Sequence, residues 1–343
     1  MKEPLPVVDL HEDIALYFMT HGGGQPYADF LEDAEGRDAD IPKYRRGNVR
    51  IVFASIFPGL ETFSPSETER AKKLYGRALP GILVKPSTEV VWEQAKVYHR
   101  LAEAYGLSIV ERASEAESLL ASGEWRLGLL LHLEGADPLA EPYDLKLLYR
   151  LGLRSIGLTW NYNNRYAASC TSRRDYGLTD MGEELVKLAN ELGVIVDLAH
   201  ASKQTVLDAA SISKKPVIVS HAAARRLVDS PRNVDDEAIE AVAKTGGVVG
   251  VTAIPTILRK EGSATIDDIA AHVRYIAETF GDRYAAIGTD FHGLAGLPAP
   301  EGFKSVDRVQ QLLEKLADMG LGDAALRRIA YENALRVIEE NLR

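Results

Sequence analysis

The sequence predicts a (β/α)8 barrel, and three observations predict it. Eight short runs rich in Val, Ile and Leu recur along the 343 residues, apolar almost throughout, as parallel strands buried on both faces are. Longer stretches with helical periodicity separate the runs. Histidines and acids collect at the C-terminal ends of the runs, which in a parallel barrel share one rim. A doubly wound open sheet is the alternative layout.

The strand candidates, in order, are "PVVDLH" (6–11), "VRIVFASI" (49–56), "LGLLLHLEG" (127–135), "SIGLTW" (155–160), "VIVDLAH" (194–200), "PVIVSH" (216–221), "GVVGVTAI" (247–254) and "AAIGTDFH" (285–292). Between the first two lies a polar, glycine-rich insert at about 20–48, read as a loop or lid; its "GGG" (22–24) reads as plain loop. "TDMGEELVKLANELG" predicts a helix with Thr179 or Asp180 as N-cap, Leu185, Leu188 and Leu192 on one face, and Gly193 as its stop. "DDEAIEAVAKTGG" is a second helix closed by glycine, and "TIDDIAAHVRYIAETFG" a third, with Ile266, Ile269, Val273, Ile276 and Phe280 on its apolar face. The stretch at about 305–343 adds two helices without a strand, expected outside the barrel. The whole chain, 1–343, reads as one domain without internal repeats.

Composition removes several partners. The net charge is −10, and no Lys/Arg run exceeds two residues, which argues against nucleic acid and against an anionic membrane surface. The apolar runs are of strand length, well short of the ~20 residues of a membrane span. The start, "MKEPLPVVDLHED", lacks the basic tip and apolar run of a signal peptide, and Cys170 is the single cysteine, so the chain reads as cytoplasmic.

The chemistry sits where the strands end. Asp9, His11 and Asp13 alternate at the end of the first run, so an extended chain points all three to one side, with Asp9 supporting the others from beneath. Glu134, His200, His221 and Asp290 end four later runs. Any one strand-end histidine is more often a hydrogen-bonded structural residue than a ligand. It is the coincidence of His11, Asp13, Glu134, His200 and His221 on one rim that points to metal. Nitrogen and oxygen donors of this kind suit Zn²⁺, with Mn²⁺, Fe²⁺ or Co²⁺ as alternatives, and the set exceeds what one ion needs, so two ions with a shared carboxylate and a bridging hydroxide is the economical reading. His132 reads as a core or ligand-supporting histidine, Asp197 as facing away from His200 in a helix-packing or hydrogen-bonding role, and His21, His99 and His272 as surface or packing residues.

These residues resemble the membrane (renal-type) dipeptidase family, zinc peptidases of the amidohydrolase-like barrel group. The resemblance runs from "DLHED" to "ENALRVIEE" and includes "HLEGAD", "LTWNYNN", "GLTDMGEELVKLANELGVIVDLAH", "IVSHAAARRLVDSPRNVDDEAI" and "GTDFHG". It implies His11 and Asp13 on one zinc, His200 and His221 on the other, and Glu134 bridging. It implies that Arg232 receives the substrate's C-terminal carboxylate, that Asp290 moves the proton from the bridging water to the leaving amine, and that the chain pairs as a homodimer. The substrate contacts expected around the scissile carbonyl fall to Trp160 and Asn161. Two positions depart from the family pattern: "LTWN" replaces "LTHN", so Trp160 stands where a histidine holds the oxyanion, and "DFHG" replaces "DFDG", bringing in His292. An indole N–H donates a hydrogen bond but carries no charge.

The expected function is therefore a binuclear zinc dipeptidase for dipeptides with a free C-terminal carboxylate. The rivals are a metal-dependent hydrolase of another small amide, such as an N-acyl amino acid or β-lactam, which Trp160 keeps open, and a non-catalytic binding protein, which would have no need of five ligands. Nucleotide binding lacks a glycine fingerprint after the first strand.

Overall fold

The structure, a computed structural model, describes residues 4–21, 28–58 and 87–342. Its strands are β1 (Val7–Glu12), β2 (Val49–Ile56), β3 (Ser108–Ile109), β4 (Gly128–Leu133), β5 (Leu153–Gly157), β6 (Ile195–Asp197), β7 (Ile218–Ala222), β8 (Val248–Val251) and β9 (Ala285–Ile287). All pair in parallel, β2 meets both β1 and β4, and β1 meets β9, so eight of the nine close into a ring. The ninth, β3, is a two-residue addition beside the start of β4 that its short sequence does not announce. The strands of the ring are buried from end to end because helices cover their outer face and side chains fill the inside.

Two apolar cores follow from the two faces of the ring. Val7, Val52, Leu129, Leu131, Val196, Val219 and Ile287 belong to the larger core, shared with the surrounding helices. Val8, Leu10, Ile51, Phe53, Leu130, Ile195 and Ile218 form the second, joined by Ala334, Val337, Ile338 and Leu342. The final helix, Asn333–Asn341, thus plugs the end where the strands begin, and is not an outer layer as expected. Asn333 donates to the carbonyls of Asp282 and Ala285, and Asn341 to that of Pro216, which pins the plug under β9 and β7. Among the described residues this helix covers the strand starts, and the opposite rim carries the strand-end histidines and acids.

The helix Asp180–Leu192 has Thr179 as N-cap, accepting from Gly182 N–H, and Gly193 in the left-handed conformation at its end. Its buried face is Gly182, Leu185, Val186 and Ala189, turned from the predicted one; Leu188 and Leu192 are only partly covered. The helix Ile266–Thr279 begins with a Thr265–Asp268 capping box and buries Ile269, Val273 and Ile276 as expected, together with His272. Of the insert, residues 22–27, and so the "GGG", lie outside the described residues. The described remainder holds a short 3-10 turn, Ala28–Leu31, and a helix, Ile41–Gly47, whose Tyr44 is buried and donates to Glu12. The helix Ser87–Tyr105, which no quoted pattern predicted, follows β2.

Candidate metal centre

The ends of β1 and β9 are interlocked. Asp290 N–H donates to His11 O at 2.9 Å, and Asp13 N–H to Phe291 O at 3.0 Å. Asp9 secures the joint: its carboxylate accepts from Thr289 N–H, the Thr289 hydroxyl and His11 N–H. The pairing of β1 with β2 shifts register between Asp9 and Glu12. That irregularity breaks the two-residue alternation, so the ladder read from the sequence does not face one way. Asp9 turns to Thr289, while His11 Nε2 faces Asp13 at 3.7 Å, Glu134 at 3.7 Å and Asp290 at 3.9 Å. Asp9 supports the site; it is not part of it.

Glu134 is the centre of the arrangement. Its Oε2 lies toward His11, whereas Oε1 is 3.1 Å from His200 Nε2 and 3.4 Å from His221 Nε2. Asp290 likewise has Oδ1 toward His11 and Oδ2 toward His221, each at 3.9 Å. His11, Glu134 and His221 offer ligand atoms within 4.8 Å of one another, and so do His11, Asp13 and Asp290. His200 and Asp290 follow their strands by three residues, and both hold φ of +63°. Non-glycine residues seldom adopt that conformation, which here turns the two side chains back over the barrel mouth. Gly293 matters for the same reason: a Cβ there would lie 2.1 Å from Asp13 Oδ2 and 2.3 Å from Asp290 Oδ1, so only glycine lets the loop pass the carboxylates.

The donors fit divalent cations. His11 Nδ1 and Nε2 and Asp13 Oδ1 are buried without a hydrogen-bond partner, an arrangement costly without something to bind. His200 and His221 bring Nε2 atoms to 2.9 Å. The Nδ1 of His200 faces the carboxamide oxygen of Asn161 at 2.7 Å, which places its proton there and leaves a lone pair at Nε2. Burial alone would depress the His11 imidazole, but Glu134, Asp13 and Asp290 outweigh it and raise it to about 10. Burial, reinforced by Asp13, pushes the Asp290 carboxyl up to about 8 against the pull of His11 and Arg232. Burial and the nearby Arg232 hold His200 and His221 well below the usual histidine range. The cluster therefore holds protons that cations would displace.

Arg232 is 3% exposed, reaches His200 Nε2 at 2.8 Å and the carbonyl of His221 at 2.9 Å, and leaves its Nε without a partner. Trp160 lies beside His200, with ring centroids 5.8 Å apart, and packs with Phe57 and Tyr162. Asn161, expected near substrate, spends its carboxamide oxygen on His200. His132 sits beneath His11, rings 5.4 Å apart, and burial depresses it to about 4. His272 is a packing residue: Ala224 N–H donates to its Nδ1, and its Nε2 contacts Leu258 O. His99 is exposed, with Nε2 on Leu151 O. His292 packs on Tyr17, and its N–H donates to Asp38 away from the cluster. Of the two roles expected for Asp197, the structure shows hydrogen bonding and not helix packing: it is tied to Ser220, the residue before His221. Sequence reasoning missed Ser220 and Thr289. Both stand directly beside a site residue, and that adjacency was the available signal.

The sequence profile of the membrane dipeptidase family (peptidase family M19) matches residues 1–342. The dipeptidase verJ of Clonostachys rogersoniana is 30% identical over 342 residues, spanning 98% of this chain and 84% of that protein. An uncharacterised dipeptidase of Schizosaccharomyces pombe is also 30% identical, over 97% of this chain and 80% of its own length. A metallopeptidase of Rhodobacter sphaeroides, solved with a phosphinate mimic of the dipeptide L-Ala-D-Ala, shares the fold with a TM-score of 0.86 and 22% identity, over 99% of this chain and 100% of that one. This chain belongs to the membrane dipeptidase family and is a metallo-dipeptidase. Among the described residues no helix is long and apolar enough to cross a membrane.

Proposed function

We propose that this family member is a binuclear zinc dipeptidase, with His11 and Asp13 holding one ion, His200 and His221 the other, and Glu134 shared. The observation that carries this reading is the two-sided Glu134 carboxylate, one oxygen toward His11 and the other toward the His200–His221 pair. Bound zinc supplies an acidified water and a Lewis acid for the scissile carbonyl, and Mn²⁺, Co²⁺ or Fe²⁺ would fit the same donors.

The remaining chemistry belongs to the chain. Asp290, buried between His11 and His221, takes the proton of the attacking water on a carboxylate oxygen and returns it to the departing amine, acting first as base and then as acid. Arg232, with an unpartnered Nε, grips the free C-terminal carboxylate of the substrate. Trp160 is a wall of the pocket, and with Phe57 it excludes water from the His200 side. The single cysteine fits work in the reducing cytoplasm, and the homodimer belongs to the same proposal.

A mixed dipeptide library, including D-residues at the second position, tests the reading on zinc-loaded and chelator-stripped protein. Zinc-dependent release of free amino acids is expected. Cleavage confined to N-acylated substrates would instead favour the small-amide reading that Trp160, with its aromatic neighbours, makes the alternative.

A further inference from the structure

Below the metal centre, inside the barrel, the Asp197 carboxylate is 1% exposed. Its Oδ1 accepts from Ser220 N–H at 2.8 Å and Ala199 N–H at 3.0 Å, and its Oδ2 accepts the Ser220 hydroxyl at 2.5 Å. The same Ser220 Oγ lies 2.8 Å from His221 Nδ1. A hydroxyl has one proton to give. Ser220 gives it to Asp197, so toward His221 it can only accept, and the imidazole proton must reside on Nδ1. The lone pair is then at Nε2, the nitrogen that faces Glu134 and His200.

We propose that Asp197 is a positioning residue of the metal centre, acting through Ser220 to fix the tautomer of His221 and strengthen it as a donor. The inference rests on His221 being a ligand, as read above. The three histidines of the centre are supported unequally. His221 has an anion behind it, relayed through a hydroxyl. His200 has the neutral carboxamide of Asn161, and His11 Nδ1 has no hydrogen-bond partner. A carboxylate behind a ligating imidazole raises its basicity and holds its ring. The relay is also held rigidly: a Cβ on Gly288 would lie 1.8 Å from Ser220 O, so the chain beyond β9 presses directly on the serine. From β4, His132 Nε2 approaches Asp197 Oδ2 at 3.4 Å while its Nδ1 engages Ser155 Oγ at 2.9 Å. Ser155 is thus a hydroxyl of the same buried layer that reaches the relay only indirectly, through His132.

The experiment measures zinc affinity of the full chain by competition with a chromophoric chelator, alongside the NMR signal of the His221 Nδ1–H in the zinc-loaded protein. Ser220→Ala is expected to weaken zinc binding about 10–100-fold and to displace that proton signal. Asp197→Asn, which keeps an acceptor but loses the charge, moves both in the same direction by less. Ser155→Ala, one contact further from His221, moves both by much less than Ser220→Ala, and His221→Ala gives the full loss of the ligand. Retention of zinc affinity and of the proton signal in Ser220→Ala, with His221→Ala still impaired, overturns the relay alone. Equal losses in Ser220→Ala and Ser155→Ala also overturn it, since they would report general disturbance of the layer. Undiminished zinc binding by His221→Ala would remove the ligand assignment itself, and the relay with it.

Discussion

At the scale of residues, the proposed mechanism divides the work between Asp290, for proton transfer, and Arg232, for binding. Asp290→Asn preserves shape but cannot carry the proton, so turnover should fall by a factor of roughly 10²–10⁴ while zinc content stays at the wild-type level. Arg232→Met should raise KM for dipeptides more than it lowers kcat, since it removes a grip on a group that takes no part in the bond making and breaking. The protonation of the cluster adds a pH signature to the chelator-stripped protein. His11 is raised from 6.5 to about 10 and Asp290 from 3.8 to about 8, so the folded state binds more protons than the unfolded chain above pH 6.5. Stability stored that way is lost as pH rises, and the thermal midpoint of the stripped protein should fall between about pH 7 and 9. The depressed histidines act in the opposite sense only below their unfolded value of 6.5, outside that window.

At the scale of elements, strand ends set the geometry and turns aim it. Gly293→Ala would drive a methyl into Asp13 and Asp290, and the measured result should be weakened zinc binding with a stability loss of about 1–3 kcal/mol. Why so much of this was legible, and what was not, follows from the same geometry. Buried parallel strands are nearly continuous apolar runs, so the strand ends, and with them His11, Glu134, His200 and His221, could be placed from sequence. The register shift in β1 and the left-handed turns at His200 and Asp290 could not, because they depend on neighbours far along the chain. Alternation therefore misdirected Asp9, whose partner Thr289 follows β9, and could not name Ser220 on β7 as the partner of Asp197. The helix Asp180–Leu192 is legible from its cap and its glycine stop, yet its buried face is turned, because Val186 and Ala189 are covered beside Leu185 while Leu188 and Leu192 are only partly covered.

At the scale of the whole molecule, the barrel is closed at one end and lined with candidate metal ligands at the other. The terminal helix supplies the closure: Ile338 is fully buried among the starts of the strands. Ile338→Ala should cost about 2–5 kcal/mol in denaturant unfolding while leaving the zinc-loaded enzyme active under mild conditions, since the plug lies opposite the site. The claim on which everything else turns is that one Glu134-centred cluster uses two ions for one hydrolysis. The most direct measurement is dipeptide hydrolysis by stripped protein as zinc is added in known equivalents per chain. The account predicts activity that climbs and saturates at two. Saturation at one equivalent, or full activity before any zinc is added, would contradict it.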